Sequence, residues 1–411
     1  MSDDAHIINA TVWILAPHFR HPAISGGDVY ILGVATGLSY KYARVELVGA
    51  DAQHSIRLGR ITAATTVGSQ MRSKWLASVR TLLFRSSYQR ERFVTKKYLA
   101  VVKRLVIHNG DLVFVSFIAS HSVLQCMDVP SCERFILTHN FDPDYFDLMA
   151  NSTRNPVARL VFRMSADYSL RQLKEMDGNV QLVHINEHDL SKYAGIANNV
   201  RHHLFEAGVL YDERRLNNFA QARKKDLAGM NAPVLGFVGS LWATQNVAGL
   251  MHFAEAYWPV IRATFPDVQL RVIGSSPGLV VKDLCQRNGW QLFPDLIQED
   301  FDEAVAGCHF SILPFELSAG TKIKILSSLQ CLVPVIGTRC SQPTGFHLPP
   351  TSLFSDDVAD WVHHISAYIS QVTQEESAGG LKAMLQAQSW QNKATSLVKT
   401  IHPSIQGKLN T

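Results

Sequence analysis

The sequence has no apolar run that approaches the roughly 18 residues needed to cross a membrane. Near its start, Asp3 and Asp4 precede a short apolar stretch, whereas a secretory signal has a positive start and a longer apolar core. We therefore expect a cytoplasmic protein. Two-lobed solute-binding proteins, which are exported, are disfavoured.

Cysteine is scarce, and no two cysteines form a CxxC pair. In a large cytoplasmic chain, isolated cysteines are expected to be small buried apolar side chains and not a disulfide framework or a zinc site. The cysteines are Cys126, Cys132, Cys285, Cys308, Cys331 and Cys340.

Several enzyme motifs are also missing. The sequence contains no Walker loop, no GxGxxG fingerprint and no serine nucleophile elbow. ATPase, dehydrogenase and α/β-hydrolase functions therefore have no support.

Acidic residues are almost missing from one segment, Arg57–Arg104, which we call the basic block. It contains twelve Lys and Arg residues, and Glu91 is its only acid. Such a block is either an ordinary solvated helical surface or a contact for anionic lipid headgroups or a phosphate-bearing acceptor. Nucleic acid is the weaker alternative, because no aromatic platform accompanies the basic residues.

What is present describes a globular protein of two domains. The 411 residues fit two domains of roughly 150–200 residues each. A hydrophobic content of 46% with 18% charged residues is enough for substantial cores. Short β-branched runs alternate with amphipathic stretches, a pattern typical of parallel α/β layers.

The alternation starts twice along the chain. In the first half we predict strands at 11–17, 44–49, 111–116, 134–138 and 180–185, with a helix from Asp28 to about Tyr40. A polar, basic stretch at 206–230 is predicted as the linker. In the second half we predict strands at 234–239, 269–274, 290–293, 310–314 and 333–337, with a helix over 245–265. Ligands of such folds bind beyond the carboxyl ends of the strands.

The most informative segment is 310–338, FSILPFELSAGTKIKILSSLQCLVPVIGT. A strand ends at Pro314, and a helix is predicted to begin near Gly320-Thr321. A helix N-terminus is a natural seat for a diphosphate, because it offers free N–H groups and a positive dipole end. Lys322 and Lys324 in the first turn are unfavourable to the helix itself, which suggests an anion nearby. Solvated lysines at a plain helix start are the alternative.

Taken together, Pro314, Gly320-Thr321, Lys324-Ile325-Leu326 and Val333-Pro334-Val335 resemble the P…GxGTxxKxLEALAxGxPVV signature of GT4-like glycosyltransferases. The stretch 236–277 resembles the first βαβ unit of their donor domain, with the pattern FvGsmdwxPN. In the first half, Gly26-Gly27 and Thr138-His139-Asn140 resemble the glycine loop and the histidine-bearing strand end of that family.

The resemblance implies a GT-B architecture: two Rossmann-like α/β domains facing across a cleft, with a C-terminal helix after Ser389-Trp390 that crosses back to the first domain. The implied boundaries are 1–205 for the acceptor domain, 206–230 for the linker, 231–378 for the nucleotide-sugar donor domain, and 379–411 for the crossover helix and tail.

The resemblance also implies roles for individual residues. His139 and Lys324 are the expected catalytic residues, the first near the sugar and the second neutralising the leaving diphosphate. The expected donor-binding residues are Gly26, Gly27, Gly239, Ser240, Trp242, Glu316, Gly320, Thr321, Lys322 and Ser327. Trp242 either stacks on a base or fills the core, and His139 alone could equally be structural.

Two positions depart from the family pattern. The family has a Glu that commonly hydrogen-bonds the donor ribose where this chain has Ser327, and the other Glu of its pair corresponds to Ala319. Glu316 is the alternative acid. A hydroxyl bonds a ribose more weakly than a carboxylate does.

Two further patterns suggest metal ligands. Asp142-Pro143-Asp144 reads DxD, the metal triplet of the other major glycosyltransferase fold, but it equally makes a turn. His184 and His188 have helical ligand spacing across a strand-to-turn passage, where zinc binding is not expected. The family resemblance implies neither a metal nor another cofactor.

The expected function is transfer of a sugar from a nucleotide-diphospho-sugar to a glycan, lipid-linked or small-molecule acceptor, with retention. The alternative is an inactive GT-B protein that binds a sugar nucleotide or a partner enzyme. A GT-B epimerase or phosphorylase is a third, weaker alternative. The basic block suggests peripheral association with an anionic membrane at its inner face, and no nucleic-acid partner is expected.

Overall fold

The computed structural model describes residues 7–23, 25–68, 71–127, 131–227, 232–316, 323–343, 347–371 and 376–402. In this part of the chain, the strands are β1 Ile8–Leu15, β2 Tyr42–Val48, β3 Ala52–Arg57, β4 Arg60–Thr66, β5 Leu112–Ser116, β6 Glu133–Leu137, β7 Val180–His184, β8 Arg201–Leu204, β9 Val234–Val238, β10 Gln269–Gly274, β11 Gln291–Pro294, β12 Phe310–Leu313, β13 Val335–Gly337 and β14 Leu353–Phe354.

The helices of the same residues lie mostly between these strands. They are α1 Gly26–Leu38, α2 Lys74–Phe84, α3 Tyr88–Phe93, α4 Lys96–Val102, α5 His121–Gln125, α6 Asp142–Ser152, α7 Pro156–Lys174, α8 Glu187–Ala194, α9 Glu213–Leu227, α10 Thr244–His252, α11 Trp258–Thr264, α12 Leu279–Asn288, α13 Gln298–Ala306, α14 Ile323–Gln330, α15 Val358–Gln371, α16 Glu376–Ala387 and α17 Trp390–Ile401. A π-helical turn, Phe253–Tyr257, joins α10 to α11.

The strands form two sheets. The first has the order β4-β3-β2-β1-β5-β6-β7-β8, and the second has the order β11-β10-β9-β12-β13-β14. All pairs are parallel except β2–β3 and β3–β4. The central strands are apolar on both faces because helices cover both sides of a parallel sheet. Two parallel α/β units, predicted from the alternation in the sequence, are confirmed.

Several elements differ from the sequence prediction. The hairpin β3–β4 and the edge strands β8 and β14 were not predicted, and β8 extends the first sheet beyond the predicted strand at 180–185. The predicted linker 206–230 contains α9, whose Arg215 pairs with Asp302 of α13. The domain boundaries themselves stay predictions.

The cysteine prediction is only partly correct. Cys285, Cys308 and Cys331 are buried, whereas Cys126 and Cys132 are partly exposed and Cys340 is exposed. All of them are free thiols. None of the helices in the described residues combines the length and apolar character that a membrane span requires.

The C-terminal helix α17 packs on α1 of the first domain. Ser389 caps its N-terminus by accepting a hydrogen bond from the Asn392 N–H. A Cβ atom on Gly33 of α1 would lie 2.1 Å from the Trp390 indole, and one on Gly37 would lie 2.4 Å from the Trp390 carbonyl oxygen. The crossing-back helix that the family resemblance implies is therefore present, and two glycines allow its close approach.

We expect Gly33→Ala to destabilise the protein, because the new methyl group would overlap the buried Trp390 ring. Overpacking of this kind costs about 1–3 kcal/mol, which a urea titration followed by circular dichroism would detect. Gly195→Ala is the matched control, since its nearest neighbour would be 3.5 Å away. Equal stability of the two variants would contradict the tight α1–α17 contact.

Candidate functional site

The glycine pair starts α1 at the carboxyl edge of the first sheet. Ser25 caps this helix by accepting from the Asp28 N–H, and the Asp28 carboxylate accepts from the Ser25 N–H at 3.1 Å. An acidic residue in the first turn also complements the helix dipole. The chain therefore begins the helix at Gly26 and Gly27 in a fixed orientation, with no side chain at its first two residues.

His139 lies directly beside this helix start. A Cβ atom on Gly27 would be 3.4 Å from His139 Nδ1, so the backbone of the glycine pair borders the imidazole. His139 Nε2 is 2.8 Å from Ser116 Oγ. The ring also lies against Phe117, with centroids 4.3 Å apart. The structure thus brings Gly26, Gly27 and His139 together.

The His139 imidazole is neutral. Burial lowers its pKa to about 3, since a charged ring would lose its hydration there. His18 lies edge-on to it at 5.8 Å between centroids, and burial followed by the neighbouring His139 lowers the pKa of His18 well below its usual value. His139 and His18 therefore offer uncharged hydrogen-bonding groups to the site in the first domain.

In the second domain, Asn246 connects the end of β9 to α14. Its Nδ2 donates to the Ser240 carbonyl at 2.9 Å, and its Oδ1 accepts from Lys324 Nζ at 2.5 Å. A Cβ atom on Gly239 would lie 2.8 Å from Asn246 Nδ2, so a side chain at Gly239 would displace this link. Gly239, Ser240 and Lys324 are brought together by a residue that sequence reasoning did not name.

Lys324 is held in a partly buried position. Its ammonium lies 4.1 Å from the centroid of the Phe315 ring, and the Asn246 amide fixes its direction. Cation–π contact favours a charged ammonium over such a ring. The Lys324 ammonium therefore has a fixed position in the first turns of α14.

The predicted phosphate turn precedes this lysine in the sequence. Gly320, Thr321 and Lys322 are outside the described residues, as are Ser318 and Ala319. The helix α14 begins directly after them at Ile323, and its Cα atoms come within 8 Å of those of α1. The helix that follows the predicted turn therefore contacts the first domain, and Ser327 lies partly buried on it.

Trp242 follows the end of β9 and is 58% exposed. The alternative that it fills the core is therefore wrong. Its indole is available to a ligand, and stacking on a base stays a prediction.

Glu316 occupies a different place from Lys324. Its carboxylate lies 3.6 Å from His252 Nδ1, and it lines a cavity of about 770 Å³ beyond the ends of β12, β13 and β14. Phe315 borders both this cavity and Lys324. The other predicted donor-binding residues that the structure describes do not line the cavity.

Neither metal-like pattern forms a ligand set. Asp142 and Pro143 open α6, where Asp142 is buried, while Asp144 is exposed and pairs with Lys192. The pKa of Asp142 is raised to about 7, mainly by burial and then by Asp189. The DxD segment is thus the start of a helix and not the predicted turn, and its two carboxylates lie in different environments.

The histidine pair is likewise divided. His184 Nδ1 lies 3.0 Å from Thr138 Oγ1, and its Nε2 lies 2.9 Å from His202 Nδ1. His188 is exposed on α8. Within the described residues, no three His, Cys, Asp or Glu side chains are grouped to hold a metal ion.

Sequence comparison identifies the second domain. Residues 232–371 match the family model of the glycosyl transferases group 1. No curated protein matches the sequence. The resemblance to this glycosyltransferase family that the sequence motifs predict is therefore confirmed for residues 232–371.

Solved structures share the fold along nearly the whole chain. Sucrose-phosphate synthase from Thermosynechococcus elongatus has a TM-score of 0.63 at 13% identity, covering 97% of this chain and 100% of its own. WaaG, a glycosyltransferase involved in lipopolysaccharide biosynthesis, has a TM-score of 0.61 at 13% identity, covering 95% and 99%.

A third structure, the E. coli trehalose-6-phosphate protein bound with UDP-2-fluoro glucose, has a TM-score of 0.58 at 10% identity, covering 95% of this chain and 99% of that one. Likeness at such low identity establishes the fold, and the predicted GT-B architecture is confirmed.

We expect the protein to lose stability as the pH falls below about 6.5. Burial lowers the pKa values of His139 and His184 to about 3 and those of His203 and His309 to about 4. The unfolded chain binds these protons first, so each histidine reduces the free energy of unfolding by up to about 1.4 kcal/mol per pH unit. Asp142 has the opposite effect on stability. Because its pKa is raised to about 7 in the folded protein, the folded state binds one proton in this pH range that the unfolded chain does not bind.

Urea titrations between pH 7.5 and pH 5 would measure this slope. His309→Asn should make it shallower, because an amide oxygen can replace Nδ1 as the acceptor for the Val234 N–H without titrating. The exposed His363 gives the control variant His363→Asn. A stability that is flat below pH 6.5 in the parent protein would reject the prediction.

Proposed function

We propose that the protein transfers a sugar from a nucleotide-diphospho-sugar to a glycan, lipid-linked or small-molecule acceptor, with retention and without a metal. The observation that carries this proposal is the Asn246–Lys324 link. It fixes a cation at the end of β9 and beside the start of α14, within a domain of the glycosyl transferases group 1.

The chemistry requires a group that stabilises the departing diphosphate. As the bond between the sugar C1 and the diphosphate oxygen breaks, negative charge grows on the phosphate oxygens. A fixed cation and the N–H groups of a helix start stabilise this charge more in the transition state than in the bound donor. Lys324 is the cation, and Gly239 leaves the space that the Asn246 amide occupies when it orients this lysine.

The sugar would then lie toward the first domain. The contact of α14 with α1 brings the proposed diphosphate site toward the helix that begins at Gly26 and Gly27. A neutral His139 can accept or donate a hydrogen bond to a sugar hydroxyl. It would not compete with Lys324 for the leaving group.

The structural neighbours support this donor class. The E. coli trehalose-6-phosphate protein is bound with UDP-2-fluoro glucose, and Anabaena Alr3699/HepE is in complex with UDP. Both share the fold with this chain, and we extend their ligand class to it as part of the proposal. We further propose that the protein works at the cytoplasmic face of an anionic membrane, which the basic block would contact.

The residue at position 327 is the observation that favours the alternative of an inactive protein. Ser327 lies on α14 three residues after Lys324, where the family has a glutamate. A hydroxyl gives the donor ribose a weaker bond than a carboxylate. An inactive relative would bind a sugar nucleotide or a partner enzyme without turnover.

Titration calorimetry with UDP, GDP and dTDP should show binding of at least one of them, because the diphosphate would meet Lys324 and the start of α14. Lys324→Ala should weaken that binding, whereas Lys282→Ala, at an exposed lysine of α12, should leave it unchanged. Absence of binding by all three nucleotides would contradict the proposed donor site.

Turnover should depend strongly on the same lysine. We expect Lys324→Ala to lower the rate of sugar transfer or slow donor hydrolysis on the order of a hundredfold, because it removes charge stabilisation from the transition state. A mass-spectrometric screen of sugar nucleotides would first find the donor. Binding without turnover in the parent protein would favour the inactive alternative, and an unchanged rate in the variant would remove Lys324 from the site.

A further inference from the structure

The helix α2, within the basic block, exposes large apolar side chains to solvent. Over its 11 residues, Trp75 is 74% exposed, Leu76 40%, Leu83 71% and Phe84 58%. Single exposed apolar residues are common on protein surfaces, but a cluster of this size marks an interaction site. These side chains have no role in the proposed sugar transfer.

Three of these exposed residues, Trp75, Leu76 and Leu83, lie on one face of the helix, because separations of seven and eight residues correspond to about two helical turns. The partly buried Val79 lies between Trp75 and Leu83 on the same stripe. The opposite face carries Ala77 and Thr81, which are buried against the domain. The helix is therefore anchored by its small residues and presents its large apolar residues outward.

The charge that the basic block itself places around this stripe is of one sign. Glu91, the only acid of the basic block, is buried and bonded to Arg80 Nε at 2.7 Å and to Arg90 Nη1 at 3.0 Å. Lys74 and Arg85 are exposed at the two ends of α2. The surface of the helix therefore combines an apolar stripe with cations that no acid of the same block opposes at the surface.

We propose that α2 lies in the interface of an anionic lipid bilayer, with Trp75, Leu76 and Leu83 inserted below the headgroups and Lys74 and Arg85 on the lipid phosphates. An amphipathic helix with a Trp- and Leu-containing face and basic flanks is suited to this position. The inference deepens the membrane association proposed above by assigning the residues that insert. It does not depend on sugar transfer.

Charge complementarity favours lipid over a protein partner. A bilayer presents phosphates directly above an apolar layer, and this matches the order of cations and apolar side chains along α2. A protein partner would need an apolar patch with an acidic rim. If α2 served to bind such a protein, the chain would not be expected to bind vesicles of pure lipid.

Vesicle flotation with the full chain tests the inference. We expect binding to vesicles of phosphatidylcholine with about 30% phosphatidylglycerol and much weaker binding to phosphatidylcholine alone. Trp75→Ser combined with Leu83→Ser should lower the partition coefficient at least about tenfold, because the apolar contribution to binding is lost. A matched control replaces the exposed Leu279 and Ile297 of the second domain with Ser.

The salt dependence of binding and the quenching of tryptophan fluorescence distinguish insertion of α2 into the bilayer from electrostatic attraction to its surface. Since screening weakens only the electrostatic part, some binding should remain at about 0.5 M salt. Brominated lipids should quench tryptophan fluorescence in the parent protein and much less in Trp75→Phe. Absence of vesicle binding, equal binding of the α2 and control variants, or binding without quenching would each overturn the proposal. None of these outcomes alters the nucleotide titration, so the two proposals fail independently.

Discussion

The packing of α1 against α17 is the contact on which the rest of the structure depends. Gly33 lets the Trp390 indole lie against α1, and Tyr30 of the same helix donates to the Phe205 carbonyl at 2.7 Å. The helix α1 also contacts α14 and begins at the glycine pair beside His139. One helix therefore sets the position of the first-domain site, of the C-terminal crossing and of the second-domain helix that carries Lys324.

The sequence predicted the elements whose signal is local. The central strands are continuous apolar runs, and their positions were found within a few residues. The hairpin strand β4 was missed because its side chains are almost all exposed and give no apolar pattern. The strand β8 was missed because its RHHL sequence is polar, and its stability comes from pairing with β7 and from the His203–Gln181 bond at 2.7 Å.

The stretch predicted as a linker shows how tertiary contacts override local composition. Residues 213–227 are polar and basic, and this pattern alone favours a loop. In the structure, Arg223 donates to the carbonyls of Ala306 and Cys308 at 2.7 and 2.6 Å, and Arg215 pairs with Asp302. These bonds tie α9 to the second domain, and no local periodicity could have revealed them.

The same limit applies to the candidate site. His139 and the glycine pair were found because they resemble a known motif, whereas Asn246 and Ser116 act by positioning other groups. Asn246 does coincide with the Asn that ends the FvGsmdwxPN pattern, so a signal existed. Its link to Lys324 spans 78 residues of sequence and appears only in the folded chain.

The charges of the two domains suggest how the proposed reaction is divided between them. Burial keeps His139 and His18 neutral, so in the proposed reaction these two side chains would contact the sugar without attracting the departing phosphate. The fixed cation, Lys324, lies in the second domain, and Ser327 in place of a glutamate removes a negative charge from the same helix. In the proposed complex, serine in place of glutamate weakens the hydrogen bond to the donor ribose. It also leaves the electrostatic potential around the leaving diphosphate more positive. Loss of the glutamate therefore argues for a changed donor preference more strongly than for a loss of catalysis.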